Sequence, residues 1–253
     1  MNSEYNLGIF ETGISNPGEM KRVEQIIQPS IGIFTNIGLA HQENFASKEE
    51  KINEKLALFD SSGIIIYSAN STLLDLIIKK RFSNKKLLSW GTADGCFLRV
   101  IGTNNLPRKT VVHASWNGQT VKISIPFLDE ASLENAMHCW VAMLYLGVKQ
   151  SVIERRFLAL ESIAMRLEQK NGVDGSVIID DAYNADITAF EIALDSLAQV
   201  NRRVKTVILS DILQSGETPN DLYKKINQSL KDHNITRFIG IGKDLYENQD
   251  LIE

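Results

Sequence analysis

The sequence of 253 residues has little cysteine and no large excess of charge of either sign. Its two cysteines, Cys96 and Cys139, cannot form a disulfide framework, which is typical of a reducing compartment, and we expect a cytoplasmic protein. The formal net charge of −4 and the pI near 5.7 do not favour nucleic-acid binding. No basic run with interleaved aromatic residues is present either, so no nucleic-acid partner is expected.

The sequence also lacks a long hydrophobic run. The longest apolar stretch, residues 136–148, is interrupted by His138 and is too short to span a bilayer, so it predicts a core helix and no membrane span. The first ten residues lack the basic and apolar regions of a secretory signal. The composition, 43% hydrophobic and 23% charged, is that of a soluble globular protein with one large domain or two of ordinary size.

Short apolar strands alternate with helices in the first part of the sequence, which is typical of βαβ units and a parallel sheet. The predicted strands are residues 5–10, 31–37, 63–68 and 86–90, and the predicted helices are residues 19–28, 47–59 and 73–82. An antiparallel meander is predicted next, with strands at 97–101, 110–116 and 120–125 and a hairpin at Asn117-Gly118. Two helices follow, at residues 133–146 and 151–160.

The βα alternation restarts after residue 166. The predicted strands are residues 177–180, 204–209 and 238–241, and the predicted helices are residues 187–200 and 221–233. The pattern therefore predicts a second α/β domain with its own sheet.

Polar side chains follow the predicted strand at residues 31–37. The loop carries Asn36, His41 and Glu43, and the next helix begins with a capping box. In it, Ser47 accepts from the third helical amide while Glu50 reaches back to the Ser47 amide. Because ligands bind beyond the carboxyl ends of the strands in α/β sheets, a histidine and a glutamate are placed here where chemistry is expected.

The stretch TNIGLAHQENFASKEEKINEKLALF, residues 35–59, resembles the central-domain signature of the Mur ligases, ATP-dependent enzymes that add amino acids to the peptidoglycan precursor. IIDDAYNAD, residues 178–186, is most similar to the members that add D-alanyl-D-alanine to UDP-N-acetylmuramoyl-tripeptide. The resemblance implies an α/β protein with a partial P-loop-type parallel sheet domain, which contains the meander, followed by a Rossmann-like second domain. It places the central domain at residues 1–155 and the C-terminal domain at residues 156–253.

The resemblance implies a magnesium site formed by Glu11, His41 and Lys55, and we expect the three side chains to share one cleft. Glu11 and His41 match family residues that contact Mg²⁺, and Lys55 falls where several members carry a carbamylated lysine. Carbamylation requires the neutral amine, hence a lowered lysine pKa. From the residues alone, the alternatives are a solvated strand-end carboxylate for Glu11, a structural role for His41, and a helix-surface Lys55 paired with Glu54 or with the neighbours of Lys51.

The resemblance also implies residues that position ATP. Asn135 matches the second Asn of an H-N-x-x-N-A motif near the nucleotide base, although Ala131 and Ser132 replace the leading His-Asn. Arg166 resembles an arginine that reaches the nucleotide, for which its bidentate fork is suited. Asp181 and Tyr183 are likewise expected at the nucleotide.

Two further residues, Asn184 and Asp211, are expected to face the incoming amino substrate. The implied reaction begins with ATP-dependent phosphorylation of the tripeptide's terminal carboxylate. The dipeptide amine then attacks the acyl phosphate, which gives the amide, ADP and phosphate. Two alternatives are a folylpolyglutamate synthetase-like ligase and a non-catalytic binding module of the same fold.

The family cradles the ATP phosphates in a G-T-x-G-K-T loop, yet no G-K-[ST] occurs in the sequence, and Gly242-Lys243 is followed by Asp244. We therefore expect a fragment that lacks the UDP-binding domain, the P-loop strand and helix, and the C-terminal end. Such a chain should show no ligase or ATPase activity alone. It should also be marginally stable or self-associating, because an unpaired strand edge before residue 150 would template association.

Overall fold

The computed structural model describes residues 4–14, 16–37, 44–107, 109–161, 167–183, 185–213, 215 and 217–252. These residues fall into two compact units. The first unit reaches to Leu158, and the second begins at Ala159.

Six strands form one sheet in the first unit. In their order across the sheet they are β1 (Ile31–Phe34), β2 (Ile64–Ser68), β3 (Lys86–Gly91), β4 (Leu98–Leu106), β5 (Lys109–Trp116) and β6 (Gln119–Ile125). Strands β1 to β4 pair in parallel, whereas β5 and β6 continue the sheet in antiparallel pairing. The predicted α/β class, with a parallel sheet that carries a meander, is confirmed.

Helices cover both faces of this sheet. They are α1 (Glu19–Ile27), α2 (Lys48–Ala57), α3 (Thr72–Arg81), α4 (Glu130–Tyr145) and α5 (Gln150–Leu158). Successive side chains of a strand point to opposite faces. Accordingly, Ile65 and Tyr67 of β2 pack in the cluster that contains residues of α2 and α3, whereas Ile66 packs in the cluster that contains residues of α4 and α5. A continuous apolar run such as IIIYS is what a strand buried on both faces requires.

Local sequence signals define the ends of several elements. The Ser47 hydroxyl accepts from the Glu50 amide at 3.0 Å, as the capping box predicts. The Glu50 carboxylate, however, accepts from the Ala46 amide at 2.6 Å, one residue before the expected amide. Asn117 and Gly118 turn the β5–β6 hairpin with φ angles of 49° and 74°, the left-handed values that a type I′ turn requires.

Residues 5–10 form no strand, so that prediction is wrong. Tyr5, Leu7, Ile9 and Phe10 are exposed by 59–89%, and this segment pairs with none of the described strands. The apolar pattern of this segment is compatible with a strand, but a strand forms only when a neighbouring strand supplies partners for its amides and carbonyls.

In its described residues, the second unit contains two separate strand pairs and three α-helices. Strands β7 (Glu168–Asn171) and β8 (Val177–Asp180) form an antiparallel hairpin, and β9 (Thr206–Ser210) pairs in parallel with β10 (Arg237–Ile241). The helices are α6 (Ile187–Gln199), α7 (Pro219–Asp232) and α8 (Lys243–Glu247). An apolar cluster lies among them, with Leu209, Tyr223 and Ile226 among its buried members.

None of the helices in the described part of the chain combines the length and the apolar character that a membrane span needs.

Candidate active site

A cavity of about 480 Å³ lies in the first unit at the carboxyl ends of β1, β2 and β3. This is the edge at which α/β sheets bind ligands. Its apolar wall includes Ile52, Leu74, Val112, Leu133 and Met137, and its polar lining includes Asn36, Lys48, Asn70, Thr92 and Glu134. An apolar floor with a few polar groups is the usual composition of a small-molecule site.

The strand β4 contributes both Val100 and Thr103 to the cavity wall. In a regular strand, residues three apart point to opposite faces. A bulge between Val100 and Gly102 adds one residue, Ile101, which is 56% exposed. The bulge therefore returns Thr103 to the face that Val100 already occupies, where their partners on β5 are the buried Val112 and Ala114.

Asn70 joins the ends of β2 and β3 at the cavity. Its Oδ1 accepts from the Thr92 amide at 3.1 Å. A Cβ atom at Gly91 would lie only 2.7 Å from the same oxygen. Glycine at this position therefore allows the Asn70 side chain to approach the backbone at the end of β3.

His138 of α4 connects the end of β3 to the residue that follows β1. Trp90 Nε1 donates to His138 Nδ1 at 3.1 Å, and His138 Nε2 lies 3.1 Å from the Thr35 carbonyl oxygen. Because an indole only donates and a carbonyl only accepts, the imidazole must be neutral with its proton on Nε2. His138 is 2% exposed, and this burial lowers its pKa to about 4.

Lys55 lies on α2 beside the end of β1. Its Nζ donates to the Asn36 carbonyl at 3.1 Å and lies 6.0 Å from the centroid of the Phe34 ring. Burial lowers the pKa of Lys55, and the nearby Lys51 ammonium lowers that pKa further. Both effects enlarge the neutral fraction of the amine, which is the form that carbamylation consumes.

Glu54, the alternative partner for Lys55 on the helix surface, is engaged elsewhere. Its Oε1 accepts from the Gly18 amide at 2.8 Å and from the Met20 amide at 3.1 Å. Glu54 therefore satisfies free amides at the start of α1, where a carboxylate is favourable.

On α4, Glu134 lines the cavity while the neighbouring Asn135 is exposed. Burial raises the pKa of Glu134, a hydrogen bond from the Asn36 side chain lowers it, and the charge of Glu130 raises it again. Residues three and four apart share one helix face, so Glu130 and Glu134 line the cavity together with Met137. The sequence prediction missed Glu134, and its spacing from Glu130 and Met137 was the signal that could have found it.

The strand-end carboxylates of the second unit accept hydrogen bonds from backbone amides. Asp181, after β8, accepts from the Leu167 amide at 3.0 Å. Asp211, after β9, accepts from the amides of Asp244 at 3.2 Å and Leu245 at 2.9 Å, at the start of α8. Asp211 therefore already has a structural role in capping α8. Tyr183, which follows Asp181 in the same loop, is 61% exposed.

Three of the predicted site residues, His41, Arg166 and Asn184, lie outside the described residues. Glu11 is exposed in the irregular segment before α1. Within the part of the chain that the structure describes, no three His, Cys, Asp or Glu side chains form a group that could hold a metal ion. The magnesium site of Glu11, His41 and Lys55 therefore stays a prediction.

The family model of the Mur ligase middle domain matches residues 1–143, more than half of the chain. The chain belongs to the Mur ligase family. It is 26% identical over 247 residues to the UDP-N-acetylmuramoyl-tripeptide–D-alanyl-D-alanine ligase of Rickettsia prowazekii. The aligned region covers 96% of this chain and 55% of that protein. The chain thus spans about half the length of the curated relatives that it matches.

Solved structures show the same fold. A crystal structure of MurF from Acinetobacter baumannii superposes with a TM-score of 0.84 at 20% identity, over 100% of this chain and 55% of that one. MurF from Thermotoga maritima in complex with ADP gives a TM-score of 0.70 at 18% identity, over 94% of this chain and 58% of that one.

Proposed function

We propose that this chain contributes to an ATP-dependent ligase that adds D-alanyl-D-alanine to UDP-N-acetylmuramoyl-tripeptide. The observation that carries the proposal is the cavity at the carboxyl ends of β1 to β3, next to a lysine whose pKa is lowered by burial. Membership of the Mur ligase family and the similarity to the Rickettsia prowazekii ligase support the same function.

The reaction joins a carboxylate to an amine at the expense of ATP. The γ-phosphoryl group of ATP passes to the terminal carboxylate oxygen of the tripeptide, which gives ADP and an acyl phosphate. The dipeptide amine attacks the acyl carbon, the carbon–oxygen bond to phosphate breaks, and the amine loses a proton. The products are the amide, ADP and inorganic phosphate.

Lys55 supports this chemistry because it can become an anionic carbamate. Its lowered pKa favours the neutral amine that reacts with carbon dioxide. Together with Glu11 and His41, the carbamate would hold Mg²⁺, which offsets negative charge on the phosphoryl group when it is bound. His41 lies outside the described residues, so this set rests on the sequence resemblance.

The charge of the cavity favours the base of the nucleotide over its phosphates. Among its described lining residues, the carboxylates of Glu130 and Glu134 outnumber the one ammonium, Lys48, and would repel a phosphate, whereas Asn36 and Asn70 offer amides to a neutral ring with donors and acceptors. In the proposal, Asn135, Arg166, Asp181 and Tyr183 position the nucleotide, and Asn184 and Asp211 face the amino substrate.

A chimera tests the proposal. The 253 residues replace the aligned part of the Rickettsia prowazekii ligase, and phosphate release from ATP is measured. We expect release only when both UDP-N-acetylmuramoyl-tripeptide and D-alanyl-D-alanine are present. Release that requires a folate and glutamate instead would favour the folylpolyglutamate synthetase alternative, and no release from a folded chimera would contradict both.

The role of Lys55 is tested with a matched pair of lysine variants. Lys55→Arg keeps the charge but cannot be carbamylated, and we expect it to lower the chimera's rate by about 10- to 100-fold. Lys80→Arg, at an exposed position of α3, should leave the rate unchanged. In ¹³C-bicarbonate, the unmodified chain should show a carbamate carbon signal that Lys55→Arg removes.

A further inference from the structure

His138 is unusual among the buried side chains of α4 because it is polar and has a partner on each side. The helix otherwise buries apolar residues such as Met137, Trp140 and Val141. A buried imidazole is costly unless both of its nitrogens are hydrogen-bonded. Here, Trp90 and the Thr35 carbonyl satisfy them at 3.1 Å each.

These two hydrogen bonds restrain the backbone at the end of β1. Thr35 and Asn36 follow β1 directly, and both line the cavity. The next residue, Asn36, makes two contacts of the candidate site. Its carbonyl accepts from Lys55 Nζ at 3.1 Å, and its side chain donates to Glu134. A shift of the Thr35 carbonyl would therefore displace the Asn36 groups that meet Lys55 and Glu134.

We propose that His138 is a positioning residue: its neutral imidazole, held by the Trp90 indole, fixes the Thr35–Asn36 segment so that Asn36 meets Lys55 and Glu134 at the cavity. The effect on nucleotide binding rests on the proposed function, whereas the hydrogen bonds themselves do not. The neutral Nε2–H tautomer is required because a protonated imidazole would point an N–H at the indole N–H.

The competing interpretation is that His138 only fills the core. Three variants of the full chain separate the two interpretations. His138→Leu removes both hydrogen bonds and replaces the imidazole with an apolar side chain of similar size. His138→Gln retains one acceptor for Trp90 and one donor for Thr35. Val141→Ala removes buried volume one turn away on the same helix without removing a hydrogen bond to Trp90 or Thr35, so it controls for a general loss of stability.

The first measurement is the state of His138 in the unmodified chain, read by long-range ¹H–¹⁵N NMR. We expect the Nε2–H tautomer throughout pH 5.5 to 8. A ring that titrates between pH 6 and 7, or that carries its proton on Nδ1, would overturn the proposal whether or not the chain binds ATP.

The second measurement compares the three variants by their Asn36 NMR signals in the chain and by their ATP affinity in the chimera described above. We expect His138→Leu to shift the Asn36 side-chain and carbonyl signals and to weaken ATP binding about tenfold. His138→Gln should stay within about twofold of the unmodified chain, since it can form both hydrogen bonds. Val141→Ala should lower the melting temperature but leave the Asn36 signals and the affinity unchanged.

Equal effects of His138→Leu and Val141→Ala on the Asn36 signals would show a purely structural role and refute the proposal. If the chimera that carries the unmodified chain bound no ATP, the proposed function would lose support. The Asn36 signals of His138→Leu and His138→Gln would then decide the positioning role without the nucleotide.

Discussion

The two units stabilise their sheets in different ways. In the first unit, helices bury both faces of β2, and Ile65, Ile66 and Tyr67 are each 0% exposed. In the second unit, β9 buries Leu209 to 7% exposure but leaves its neighbour Ile208 65% exposed. The first unit therefore depends on apolar burial on two faces, whereas the second buries one face of its β9–β10 pair in a smaller cluster.

Polar contacts also join the helices of the second unit. His233, just after α7, contacts Asp195 of α6 through Nε2 at 3.0 Å. The Ser229 hydroxyl of α7 donates to the Glu191 carboxylate of α6. A histidine that pairs with an acid gains stability from its charge, whereas the buried His138 of the first unit must stay neutral. The contributions of these two histidines to stability should therefore respond to pH in opposite directions.

The largest expected effect comes from matched truncations on the two sheets. Ile66→Ala should destabilise the first unit by about 3 kcal/mol, because it leaves a cavity in a fully buried layer. Ile208→Ala should change the stability of the second unit by less than about 0.5 kcal/mol, because the side chain is already exposed.

Denaturation separates the units because the three tryptophans, Trp90, Trp116 and Trp140, all lie in the first unit. Tryptophan fluorescence therefore reports the first unit, and hydrogen exchange of the β9 amides reports the second. Equal losses for the two variants would contradict the difference in burial.

The next effect is acid destabilisation of the first unit by His138. Its pKa is about 4 in the folded state and 6.5 in the unfolded state, so the unfolded chain binds the proton first. The contribution of neutral His138 is present above pH 6.5 and is lost as pH falls toward 4. From pH 7 to pH 5, the first unit should lose about 2 kcal/mol. In His138→Gln, the loss measured by tryptophan fluorescence should be smaller by that amount, and an unchanged pH profile would show that His138 is not the group that titrates.

The smallest effect is expected in the second unit, on the alkaline side. The hydrogen bond to Asp195 raises the pKa of His233 above 6.5, burial opposes it, and the Ser229 carbonyl and the charges of Asp195 and Glu191 raise it further. The stabilisation is present below pH 6.5 and is lost as pH rises through the folded pKa. Because Asp195 is largely exposed, the loss should be less than about 1 kcal/mol. Hydrogen exchange of β9 at pH 6 and pH 8 measures it, with His233→Gln as the variant in which the pH dependence should vanish.

The sequence predicted elements whose signals are local. The apolar run of β2, the Ser47 cap of α2 and the Asn117-Gly118 turn each depend on neighbouring residues, and the structure confirms them. The strand expected at residues 5–10 failed because strands need a partner that can be distant in sequence. For the same reason β7, with the polar sequence EQKN, was not predicted. It forms by pairing with β8 across a turn at Asp174 and Gly175, both with positive φ.

In the candidate site, too, the sequence predicted what local patterns define and missed what depends on contacts between distant residues. The rule that ligands bind at strand ends located the region around Asn36 from the sequence. The contributions of Asn70 and Glu134 depend on how β2, β3 and α4 meet, which local patterns do not define. The His138 contacts with Trp90 and Thr35 join residues 48 and 103 positions apart, and no local pattern indicates them.

The bulge at Ile101 has a consequence for how relatives should be aligned. A relative with a regular β4 would have one residue fewer at this point, so the correct alignment places a gap opposite Ile101. An ungapped alignment would be shifted by one position from Gly102 onward. It would then match the cavity-lining Thr103 to a residue of the relative on the opposite face of the sheet. Residues that occupy the same place in the cavity wall of both proteins would then be counted as substitutions.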